Sequence, residues 1–146
     1  MEKFICSTFF LIGCLSIAAC RTEEAHGVLV GRFSDQDTLL KAKITLPTTV
    51  GIFPLRFELR HGTLSCFLTA TFPEKAPQAM NECAGRSSSG EISCNDGRAL
   101  PLNWSLTSCY GGFGQSSNPG RSTFSFGFGA NPDQALDQLE EAGNDG

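Results

Sequence analysis

Short segments in which apolar and polar residues alternate limit the possible folds of this chain more than any other feature. Residues 55–60 read Leu-Arg-Phe-Glu-Leu-Arg, and residues 124–129 read Phe-Ser-Phe-Gly-Phe-Gly. A period of two places one set of side chains on the buried face of a β-strand and the other set on its outer face. The pattern therefore predicts half-buried strands, one with charged outer residues and one with very small ones.

The remainder of the body also has strand-like segments separated by turn residues. Strands are predicted at 26–34, 42–46, 55–60, 63–72, 91–94, 98–107 and 124–129. Asn95-Asp96-Gly97 between two of them predicts a β-hairpin, whereas the Ser-rich 86–90 and the Gly-rich 109–114 are predicted to be turns. About seven short strands predict an all-β domain over residues 27–130, either a small antiparallel barrel or a sandwich.

The first twenty residues have the organisation of an export signal. Lys3 precedes an uncharged run at 4–19, which is shorter than the roughly 20 residues of a membrane-spanning helix. The end of this run, Ile17-Ala18-Ala19-Cys20, resembles the lipobox of bacterial lipoproteins. The resemblance implies removal of the signal peptide 1–19, a lipid on the Cys20 thiol, and a tether at 20–26 that holds the protein to the membrane. Arg21 after that cysteine implies the outer membrane.

A second match leaves the position of the lipid open. Leu11-Ile12-Gly13-Cys14 also fits the lipobox, but cleavage there would leave the apolar residues 15–19 on the mature protein. Cys20 is therefore favoured over Cys14. An ordinary cleaved signal peptide or an uncleaved anchor is the further alternative.

The seven cysteines divide by position. Cys6 and Cys14 leave with the signal peptide, and Cys20 carries the lipid. Four cysteines remain, and an even number in an exported chain predicts two disulfides. They are Cys66, Cys83, Cys94 and Cys109.

A short internal repeat suggests how these four cysteines pair. Residues 62–66 and 90–94 share the form Gly-x-Leu/Ile-Ser-Cys, and each copy is followed by one further cysteine. One bridge per copy predicts the disulfides Cys66–Cys83 and Cys94–Cys109, although four cysteines allow three pairings. No Cys-x-x-Cys or suitably spaced histidine occurs, so neither a metal nor a cofactor is expected.

The C-terminal segment 131–146 differs from the body. It holds five acidic residues and no basic one, so it accounts for the whole net charge of −4. Asn131, Pro132 and Asp133 predict the start of a helix over 134–142, with Leu136 and Leu139 on one side. The segment is expected to be a solvated acidic helix or tail; the alternative is a short acidic docking peptide.

Residues with catalytic potential form no local signature. His61, Ser65 and Asp96 supply the types of a nucleophilic triad, but no Gly-x-Ser-x-Gly motif accompanies them. The aromatic side chains of Trp104 and Tyr110 are expected in the core; the alternative is that they are exposed and stack on a sugar or anchor a partner. Residues 90–98 resemble repeats in uncharacterised proteobacterial lipoproteins, a resemblance that implies no activity.

The expected function is a non-enzymatic binding or structural module on the bacterial envelope. Its partner is expected to be the membrane, through the lipid on Cys20, together with another envelope protein or a glycan. A body without bulk positive charge argues against nucleic acid as a partner. The alternative is a small envelope-associated hydrolase with an unrecognised site.

Overall fold

The computed structural model describes residues 25–46, 55–71, 83–116 and 122–144, which form eight strands and one helix. Each strand pairs antiparallel with the next, and the last strand pairs with the first to close a barrel. The barrel confirms the predicted all-β fold and decides against the sandwich. The strands are β1 (Ala25–Phe33), β2 (Leu40–Leu46), β3 (Leu55–His61), β4 (Leu64–Ala70), β5 (Ser87–Cys94), β6 (Ala99–Ser108), β7 (Gly111–Ser116) and β8 (Phe124–Gly129), followed by α1 (Pro132–Asn144).

The up-and-down order of the strands gives the barrel two distinct ends. We call the end at which β1 begins and β8 finishes the proximal end. At the opposite, distal end lie the β1–β2 turn at 34–39, the β3–β4 turn at 62–63 and the β5–β6 turn at 95–98. The predicted hairpin at 95–97 is confirmed, and Gly97 has the positive φ of 90° that this turn requires.

Side chains fill the interior of the barrel. The aromatic face of β8 points inward, where the ring centroids of Phe124 and Phe33 lie 4.8 Å apart. A Cβ on Gly114 would overlap the ring of Phe126, and a Cβ on Gly112 would overlap that of Phe128. Glycines on the neighbouring strand thus provide the space that the large rings occupy. Among the described residues, an interior void with an apolar lining measures only about 20 Å³.

The C-terminal helix packs on the outer wall of the barrel over β7, β8 and β1. The side chain of Asn131 caps the N-terminus of α1 by accepting a hydrogen bond of 3.0 Å from the backbone N–H of Gln134. Its buried face is formed by Ala135, Leu139 and Ala142. A helix was predicted here with Leu136 beside Leu139, but Leu136 is 37% exposed, because positions 135, 139 and 142 face the barrel.

Glycines allow the helix to approach the sheet closely. Gly127 and Gly129 alternate with the inward phenylalanines and therefore face outward, under α1. A Cβ on Gly127 would overlap backbone atoms of Ala135 and Leu139. The helix is thus an integral part of the fold rather than a solvated tail.

Two segments predicted to be turns belong to strands. Residues 87–90 begin β5 and pair with 102–105 of β6, and residues 111–116 form β7. The predictions were wrong because serine and glycine give no hydrophobic alternation. Pairing with neighbouring strands supplies the hydrogen bonds that hold these residues extended.

Candidate binding groove

All four predicted cysteines form disulfides, but the predicted pairing was wrong. The bonds are Cys66–Cys94 and Cys83–Cys109, with Cα atoms 4.0 and 5.0 Å apart. Cys66 and Cys94 are directly opposed in the register of β4 and β5. Since those strands run antiparallel, the two copies of the repeat meet only at their cysteines, and the rest of the second copy pairs with residues 67–70 beyond the first copy.

The second disulfide lies at the proximal end. Cys109 is in the tight connection between β6 and β7, and Cys83 precedes β5. Both side chains are buried. The bond therefore fixes the chain that leads into β5 against the neighbouring turn, while Cys66–Cys94 joins two strands near the distal end.

The three residues of the possible triad are not assembled into one. The Ser65 hydroxyl donates a hydrogen bond of 2.8 Å to the carboxylate of Glu58, which is also 2.6 Å from the Arg60 guanidinium. These two donors, Arg60 first, lower the pKa of Glu58. Asp96 binds Arg98 instead of a histidine, and within the described residues His61 makes no hydrogen bond to either partner. This arrangement gives Ser65 no general base of the histidine type.

A charged network closes the distal end. The guanidinium of Arg98 lies 3.6 Å from the centroid of the Phe33 ring and donates to Asp96 at 2.8 Å. It also lies 3.5 Å from Asp35, which accepts a hydrogen bond from Ser122. The network joins the β1–β2 and β5–β6 turns to the segment before β8. Its strongest contact, the hydrogen bond from Arg98, lowers the pKa of Asp96.

A polar groove of about 580 Å³ lies on the outer wall beside this network. It runs between the C-terminal end of α1 and the β1–β2 turn. Its volume is within the range of about 300–1,000 Å³ that is typical of small-molecule sites. The lining residues that matter below are Arg32, Gln36, Asp37, Gln115, Ser125 and Gly143.

The floor of the groove is a row of three polar side chains on adjacent strands. Arg32 of β1 is registered with Ser125 of β8, and Ser125 is registered with Gln115 of β7. All three alternate with inward-facing residues, so they share the outer face. Within the described part of the chain, none of the three side chains has a hydrogen-bond or ion-pair partner. The row therefore offers a guanidinium, a hydroxyl and an amide to a bound molecule.

The two walls of the groove differ in charge from its floor. Asp37, in the β1–β2 turn, is exposed and likewise has no partner among the described residues. On the other side Gly143 belongs to the last turn of α1, which contains no basic residue. The last carbonyls of a helix lack intrahelical partners and carry its partial negative charge. A cationic group is therefore favoured at the walls, and an anionic group at Arg32.

The two amphipathic aromatics have different positions. Trp104 is buried as expected, and its indole nitrogen donates a hydrogen bond of 3.2 Å to the Ser89 carbonyl. Tyr110 was expected in the core but is 38% exposed, because it lies in the turn between β6 and β7. The lipidation site Cys20 and the signal peptide 1–19 lie outside the described residues.

Sequence reasoning did not find the groove. Arg32 is separated by more than eighty positions from both Gln115 and Ser125, and only closure of the barrel between β1 and β8 brings them together. The one available signal was the alternation of 124–129, which places Ser125 on the outer face but does not identify its neighbours.

Comparisons with known proteins gave no match: no family model, no curated protein and no solved structure is similar to this chain at a significant level. Within the described ranges, no helix is long and apolar enough to cross a membrane. In the same ranges, no three His, Cys, Asp or Glu side chains are grouped as metal ligands would be.

Proposed function

We propose that this protein is a lipid-anchored lipoprotein of the bacterial envelope, a non-enzymatic module that binds its partner through the polar groove. The observation that carries this proposal is the row of Arg32, Ser125 and Gln115, three polar side chains without partners among the described residues, in a groove of ligand size. The filled apolar interior supports the same assignment, because a void of about 20 Å³ has room for one water molecule at most.

The position of the groove fits an anchored protein. Cys20 is five residues before Ala25, where β1 begins at the proximal end. Five residues span at most about 18 Å, so a lipid on Cys20 holds the proximal end near the membrane. The groove is lined by residues near the distal end and would then lie on the part of the barrel wall that is far from the lipid surface. Arg21, directly after Cys20, supports the outer membrane as the location.

Metabolic labelling with palmitate tests the anchor. The wild-type chain and the Cys14→Ala variant are expected to incorporate label, and the Cys20→Ala variant is expected to lose it. Acyl chains contribute about 0.8 kcal/mol per buried methylene, so loss of the lipid should also release the protein from the membrane fraction. Undiminished labelling of Cys20→Ala would exclude Cys20 as the lipid site.

Photo-crosslinking in cells tests the groove. A benzoylphenylalanine at position 36 lies at the edge of the groove and leaves the row of Arg32, Ser125 and Gln115 intact, and one at position 91 lies on the exposed outer face of β5 as a matched control. The expected result is one adduct of defined mass from position 36 and none from position 91. Adducts of the same mass from both positions, or none from either, would contradict binding in the groove.

A further inference from the structure

The groove presents charges of both signs to one ligand. Among the described residues that line it, Arg32 is the only cation and Asp37 is the only carboxylate. Building on the proposed binding function, we infer that the ligand is a short peptide that carries a free amine and a free carboxylate. The carboxylate is bound at Arg32, and the amine is bound at Asp37 and the end of α1.

Arg32 provides the anionic half of this recognition. A guanidinium binds a carboxylate through two parallel hydrogen bonds, which fix its orientation as well as its charge. The Ser125 hydroxyl is next to it in the register and adds a donor. A phosphate or polyanion fits less well, because a single guanidinium faces it while Asp37 and the helix end repel it.

The walls provide the cationic half. Asp37 has no partner among the described residues, and an ammonium group would form a charge-assisted hydrogen bond with it. The last carbonyls of a helix lack intrahelical partners, and the last turn of α1, which reaches the groove at Gly143, has no basic residue to satisfy them. An amine therefore meets acceptors on both sides.

The neutral residues between the charges suit a peptide backbone. Gln115 and Gln36 each carry an amide that can donate to a peptide carbonyl and accept from a peptide N–H. The hydroxyl of Ser125 can do both as well. A groove of about 580 Å³ that combines two opposite charges with such side chains matches two to three residues better than a free amino acid.

Three tripeptide probes that differ only at their ends test this inference. Triglycine has both charges, N-acetyl-triglycine lacks the amine, and triglycinamide lacks the carboxylate. Calorimetry with the full-length protein in detergent is expected to give an affinity for triglycine about tenfold higher than for either blocked probe, the typical effect of one charge-assisted hydrogen bond.

Two variants assign the charges to their residues. Arg32→Gln should remove the preference for triglycine over triglycinamide, and Asp37→Asn should remove the preference for triglycine over N-acetyl-triglycine. Lys43→Gln and Glu91→Gln, which change exposed charges on β2 and β5, should leave all three affinities within about twofold.

Equal affinities of the three probes would overturn the inference, as would preferences that persist in Arg32→Gln and Asp37→Asn. Absence of binding by all three probes while the adduct at position 36 still forms would exclude the peptide and leave the proposed function standing. Absence of both would contradict the ligand class and the proposed function together.

Discussion

At the scale of single residues, glycines determine how tightly this small barrel can be filled. Gly114 on β7 faces the ring of Phe126, and a Cβ there would also overlap the Asn103 carbonyl oxygen. Neither the ring nor the backbone can move away without disturbing the closed sheet. The glycine is therefore required for space rather than for an unusual φ.

We expect Gly114→Ala to lower the free energy of unfolding by about 1–3 kcal/mol, the typical cost of an overfilled core. Gly143→Ala is the matched control, since a Cβ at that helical position contacts nothing within 4 Å. It should raise the free energy of unfolding by up to about 1 kcal/mol through its higher helix propensity. Urea denaturation measures both values, and equal stability of Gly114→Ala and the wild type would contradict the packing argument.

The ion pair at the distal end should make stability depend on acid pH. The hydrogen bond from Arg98 lowers the pKa of Asp96 in the folded state, so this group stabilises the fold when ionised. Its contribution is present at neutral pH and is lost as the pH falls below the ordinary aspartate pKa of about 4. We expect Asp96→Asn to show a smaller loss of stability between neutral pH and about pH 2 than the wild type.

A matched control separates this effect from general acid denaturation. Glu91→Gln removes an exposed carboxylate without a described partner and should retain the wild-type pH profile. Thermal denaturation followed across the pH range provides the comparison. A profile of Asp96→Asn that superimposes on the wild type would exclude Asp96 as a contributor.

At the scale of elements, the alternating segments were predictable and the glycine- and serine-rich ones were not. The strands at 55–61 and 124–129 were predicted because their inward side chains are apolar. Strand β7 was not predicted, because its inward positions 112 and 114 are glycines and show no apolar alternation. The rings of β8 occupy the space that side chains at these positions would need. The signal for β7 therefore lies in its partner strand rather than in its own residues.

The helix gives a prediction that distinguishes its two leucines. Leu139 is 2% exposed and packs with Val30, whereas Leu136 is 37% exposed. Leu139→Ala should lower the free energy of unfolding by about 2–5 kcal/mol, and Leu136→Ala by less than about 1 kcal/mol. Urea denaturation of both variants is the measurement. Similar losses for the two would mean that α1 does not pack as described.

At the scale of the whole molecule, two disulfides and one ion-pair network secure opposite ends of a small barrel. Arg98 joins segments at the distal end, and Cys83–Cys109 secures the proximal end. The pairing was not predictable from the repeat, because similarity along the chain does not determine which strands are neighbours. The groove was missed for the same reason, since its residues meet only through closure of the barrel.

The disulfide pairing gives the most direct test of this topology. Non-reducing peptide mapping should find Cys66 joined to Cys94 and Cys83 joined to Cys109. Replacing either cysteine pair by alanine should lower the free energy of unfolding by about 3–4 kcal/mol, because each bond closes a loop of 26 to 28 residues in the unfolded chain. Peptides that join Cys66 to Cys83 would be incompatible with the register of β4 and β5, in which Cys66 and Cys94 are directly opposed.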